Sequence, residues 1–145
     1  MSVDVTVEQP IARPREEVAA FAMDPANDRR WIGALSEVRT LTEGSVGPGT
    51  RVERVAGFLG RRIDYVNEIT ELEPGRRLAM RSVKAPFPLR VTYEFEDAPG
   101  GTTLARIRTG GEPGRYYALA GPLLGTMVRL GVRRDLRKLK ALLER

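Results

Sequence analysis

Apolar and polar residues alternate from the start of the chain. Val3, Val5 and Val7 interleave with Asp4, Thr6 and Glu8, the period of two that marks a half-buried strand, which Pro10 stops or confines to a sheet edge. Pro14 suits the first turn of a helix, Glu16 and Glu17 suit its positive end, and Val18, Phe21 and Ala22 form its apolar stripe. Asp24-Pro25 reads as the cap and first residue of a second short helix carrying Trp31 and Ile32. Strand patterns then follow at 36–42, 50–56, 62–72, 76–83, 89–95 and 102–109, separated by turns rich in Gly and Pro. The last segment changes period. Val128, Val132, Leu136, Leu139 and Leu143 recur every three or four residues, with Arg129, Arg133, Arg137 and Lys140 on another face, which predicts an amphipathic helix. Pro122 either breaks this helix or bends it, or 116–120 forms a separate turn.

The expected order is one strand, two short helices, six strands and one long helix. Hairpin-linked strands imply an antiparallel sheet, so the class is α+β, with residues 1–145 as a single domain.

Composition narrows the chemistry. The chain has 145 residues, no Cys and no His. Thiolate or imidazole metal sites, Cys nucleophiles and His-based triads are therefore excluded, and no cofactor or metal is expected. The Gly-rich segment 44–50 lacks the Gly-Lys-Ser/Thr ending of a phosphate loop and reads as a turn. Asp24 and Asp28 could face a hard cation together, although Asp24 is already explained as a cap. No apolar run is long enough to span a bilayer and the first ten residues do not form a secretory signal. A cytoplasmic protein is the expectation.

The net charge of +5 arises entirely between Arg129 and Arg145, where seven bases face two acids. Such a segment is either a solvated helix face or a weak contact for an acidic partner or membrane surface. No aromatic residue follows Tyr117 to stack on bases, so no specific nucleic-acid binding is expected.

Several segments resemble, in order, the START-like helix-grip superfamily (SRPBCC), in its polyketide cyclase/dehydrase and lipid-transport-like branch. They are Val5 to Val18, the Asp24-Pro25 and Arg30-Trp31 pairs, Val46 to Arg51, Glu68 to Pro74, Gly101 to Leu104, and Leu136 to Glu144. The resemblance implies a curved antiparallel sheet of six to seven strands around a long C-terminal helix, with a hydrophobic cavity between them. Its members include carriers and cyclases, so it does not choose a reaction.

The candidate ligand-binding residues are Trp31, Tyr65, Asn67, Tyr93, Tyr116, Tyr117 and Gly125. Each tyrosine is either a core residue bonded to backbone or a phenol aimed at a ligand. Regular alternation turns Tyr65 and Asn67 inward with Ile63 and Ile69; a one-residue bulge would turn Asn67 out. Trp31 is either a lid or a packing anchor. Gly125 could leave room for a ligand between the helix and the strand face carrying Tyr93. Arg106 and Arg108 either both face inward, where one could clamp an oxyanion, or are both solvated. The leading function is binding of a small apolar or amphipathic molecule between sheet and helix. The alternatives are a cyclase or dehydrase that polarises a carbonyl with Tyr or Arg, and an interaction module built on the basic helix.

Overall fold

The computed structural model describes residues 2–117 and 123–145. Seven strands form one antiparallel sheet: β1 (Val3–Ile11), β2 (Leu35–Thr40), β3 (Arg51–Phe58), β4 (Arg61–Glu73), β5 (Arg77–Lys84), β6 (Leu89–Ala98) and β7 (Thr102–Gly111). Their spatial order is β1-β7-β6-β5-β4-β3-β2. The sheet curls around α3 (Leu124–Leu143), while α1 (Arg15–Ala22) and the single turn α2 (Asp28–Trp31) follow β1. This is the helix-grip architecture expected above.

Strand β1 runs through Pro10, which lies opposite Leu104. It does so because β1 is an edge of the sheet, where a missing N–H costs no ladder bond. Asp24 caps the 3₁₀ turn Pro25–Asn27 by accepting the Ala26 N–H. In α3, Leu136 and Leu139 are fully buried, with Val128, Val132 and Leu143 packed beside them. The expected break at Gly121-Pro122 lies outside the described residues.

Two bulges between β4 and β5 set the inner face. Val66 pairs with Lys84 but Asn67 pairs with Ser82, so the unpaired residue is Val83 of β5 and the alternation of β4 continues undisturbed. Ile63, Tyr65, Asn67 and Ile69 therefore share the concave side. The second bulge skips Thr70 and returns Leu72 to that side, opposite Leu78.

Candidate ligand-binding site

The concave face carries a buried polar cluster between the sheet and α2. Register places Arg54 of β3 opposite Tyr65, and Val52 opposite Asn67. Arg54 donates from Nε and Nη2 to Oδ2 of Asp28 at 2.9 and 2.8 Å. Both members of this ion pair are buried, and Nη1 of Arg54 faces the Met80 thioether at 3.8 Å. Burial pushes the Asp28 carboxyl up to about 6, against the opposing pull of Arg54.

Around the pair stand neutral polar groups. Trp31 meets Tyr93 edge-on at 5.7 Å. Burial pushes the phenols of Tyr93 and Tyr65 up, so both remain protonated donors at neutral pH. Trp31 Nε1 and Asn67 Oδ1 are buried with no hydrogen-bond partner among the described residues. An orphaned buried donor or acceptor costs roughly 1–3 kcal/mol, so these two atoms mark places where a partner is energetically wanted. Tyr65 points inward and is half-buried.

Towards the free end of the β3–β4 hairpin the interior becomes apolar. A chamber of about 120 Å³ is walled by Phe58, Ile63, Phe87, Tyr117, Leu124 and Val128, among others, with no polar surface in its wall. A larger hollow of about 630 Å³ between α1 and the β4–β5 turn is an open surface depression whose lining includes none of the cluster residues. Asp135 of α3 ties the helix to the end of α2 by accepting the Gly33 N–H at 3.0 Å, and burial pushes its carboxyl up to about 6.

The comparisons with known proteins identify the family and the fold. The chain belongs to the polyketide cyclase/dehydrase and lipid transport family, which matches residues 2–144. No curated protein matches the chain by sequence. Among solved structures, a Thermus thermophilus protein is 20% identical with a TM-score of 0.82, covering 95% of this chain and 94% of that one. A START superfamily protein from Mycobacterium smegmatis is 12% identical with a TM-score of 0.81, covering 97% of both chains. The Zhui aromatase/cyclase of a Streptomyces species is 17% identical with a TM-score of 0.82, covering 100% of this chain and 95% of that one. At these identities the likeness is one of fold.

Within this cyclase/dehydrase-family fold the expected residues fall into three groups. Trp31, Tyr65, Asn67 and Tyr93 come together in the cluster, with Trp31 buried as a packing anchor. Tyr116 and Tyr117 belong to the apolar end, and their hydroxyls donate to the carbonyls of Arg62 and Phe58 at 3.0 and 2.8 Å. They pack against Phe87, so they contribute ring surface there.

Gly125 also belongs to that end. A Cβ there would meet nothing within 4 Å, so space exists, but it does not face Tyr93. The helix passes the Trp31–Tyr93 region near Asp135, ten residues or about 15 Å further along. Arg106 and Arg108 are on the outer face, paired with Glu8, Glu96 and Asp4. Asp28 is the counterion of Arg54, and no cluster of three potential metal-binding side chains exists among the described residues.

The local pattern of the sequence gives little sign of this ion pair. Arg54 does share its strand parity with Val52 and Ala56, but Val55 on the opposite parity hides that signal. No helix among the described residues is long and apolar enough to cross a membrane.

Proposed function

We propose that the protein binds a small amphipathic molecule between the sheet and α3. Its apolar part occupies the chamber beside Phe58 and Leu124, and one neutral polar group reaches the cluster around Arg54. The observation that carries this reading is the pairing of an all-apolar chamber with one unpartnered donor, Trp31 Nε1, and one unpartnered acceptor, Asn67 Oδ1. Asp28 already compensates Arg54, so the cluster has no net positive charge to attract a carboxylate. A hydroxyl, which both donates and accepts, fits the two orphaned atoms better. Apolar burial supplies most of the affinity, at roughly 25 cal/mol per Å² before ordering costs.

Nile red, a neutral apolar dye, provides the test. Binding to the wild-type chain is expected to raise its fluorescence, and Val128→Phe, which fills the chamber, is expected to abolish the rise while the fold survives. Unchanged dye binding in a folded Val128→Phe variant overturns the chamber as the site. For the polar end, 1-naphthol is expected to displace the dye more strongly than naphthalene, and Asn67→Leu to remove that preference.

The convergence of Arg54, Tyr65 and Tyr93 favours one second reading, a cyclase-type enzyme in which a neutral phenol donates to a substrate carbonyl. An apolar β-diketone that is bound but not converted supports the binding protein. Conversion that is lost in Tyr93→Phe supports the enzyme.

A further inference from the structure

Four large apolar side chains next in sequence to residues that wall the chamber, or on the same helix as one of them, are left exposed. Leu123 is 60% exposed, Leu130 54%, Leu59 45% and Met127 36%. Leu123, Met127 and Leu130 are spaced four and three residues apart, on the side of the helix opposite Leu136 and Leu139. The same spacing continues into the exposed Arg134 and Arg137, with Lys138 beside them. The outer face is thus apolar for its first two turns and basic afterwards. The one acid within α3, Asp135, is turned away towards Gly33. Arg134, Arg137 and Lys138 form no salt bridge with an acid among the described residues.

Leu59 supplies a second lip. It occupies the two-residue β3–β4 turn with φ +50°, beside Gly60 at φ +77°. Turns with two left-handed residues favour Asn-Gly; a leucine there carries backbone strain and holds its side chain in water. The two lips flank one chamber: Phe58 and Leu124, their chain neighbours, both wall it, and Tyr117, which also lines it, is tied to the hairpin through the Phe58 carbonyl. Arg61 lies over the Tyr116 ring at 4.7 Å and adds a cation beside the hairpin tip.

We propose that this face docks on an anionic lipid bilayer, with Leu59, Leu123, Met127 and Leu130 entering the interface and Arg61, Arg134, Arg137 and Lys138 meeting the headgroups. The charge pattern and the shape both favour this occupant. The apolar points project from a hairpin tip and a convex helix face and form no groove for a peptide. The cations are spread along the helix without carboxylate partners, which suits a fluid anionic layer that needs no fixed complementary geometry. The surface is distinct from the interior site and does not depend on what the chamber holds.

Co-sedimentation of the full chain with vesicles tests it. Strong binding is expected to vesicles of phosphatidylcholine with roughly one quarter phosphatidylglycerol, and weak binding to phosphatidylcholine alone. Replacing Leu123, Met127 and Leu130 together by serine is expected to weaken binding about tenfold or more at unchanged charge. Replacing Arg134, Arg137 and Lys138 by glutamine is expected to weaken it by a similar factor. All six positions are exposed, so both variants should keep the wild-type circular dichroism and melting temperature. Failure of the folded wild type to bind anionic vesicles overturns the proposal, as does undiminished binding by the serine variant. A wild-type dimer in analytical ultracentrifugation that the serine variant dissolves also overturns it, making the stripe a contact between copies. Nile red binding reads the interior site separately, so loss of one function is distinguishable from loss of the other.

Discussion

At the scale of single residues, the most consequential pair is Asp28 and Arg54. Each is tolerable inside because the other is within hydrogen-bond reach, and desolvation makes either one alone costly. Arg54→Met is expected to destabilise the protein by about 3–5 kcal/mol, because it strands the Asp28 carboxyl. Adding Asp28→Asn is expected to recover most of that loss in denaturant unfolding; a double variant as unstable as the single one would deny the coupling. Gly125 offers the opposite case. A methyl group at this helical position meets open space, so Gly125→Ala is expected to raise stability by about 1 kcal/mol and leave Nile red binding unchanged. Leu59→Gly is expected to gain about 1 kcal/mol by relieving a left-handed leucine, while weakening vesicle binding. Thermal melts and sedimentation together check that trade between stability and docking.

At the scale of elements, Asp135 is the clasp between α3 and the end of α2. Burial holds its carboxyl near 6, whereas in the unfolded chain it titrates near the ordinary carboxylate value of 3.8. Between those two values the folded state binds the extra proton, so this group's contribution to stability falls as pH rises from about 4 through 6. Asp135→Asn keeps an oxygen for the Gly33 N–H and removes the buried charge. The variant is expected to match wild type near pH 4 and to exceed it by at most about 3 kcal/mol at pH 7. Melting temperatures across that window check the sign: a variant that loses stability relative to wild type as pH rises would mean that the ionised carboxylate is the favoured form. Strand β5 shows how one element protects another's pattern. By leaving Val83 unpaired it absorbs the irregularity that would otherwise rotate Asn67 to the solvent face.

At the scale of the whole molecule, the sheet's curl brings distant parts of the chain into one interior with a polar end under α2 and an apolar end under the start of α3. Much of this architecture was legible in the sequence. Period-two alternation, Gly and Pro at the turns, and the period of the last helix reflect local rules, so they fixed element type, order and antiparallel pairing. Inward placement of Tyr65, Asn67 and Tyr93 followed from the same parity. Other features required tertiary contacts. Arg54 finds its carboxylate 26 positions away across the interior, which no local spacing encodes. Arg106 and Arg108 are held outside by Asp4 and Glu8 of β1, a pairing set by the β1–β7 register. Tyr116 and Tyr117 lose their hydroxyls to carbonyls of the β3–β4 hairpin, and Gly125 stands about 15 Å along the helix from the part of the site it was expected to face. The chain's own pattern determines which face of each element is apolar. Which buried polar groups meet, and which are left without a partner, is decided only when those faces are brought together, because hydrogen bonds and ion pairs depend on distances of a few ångströms between residues far apart in sequence.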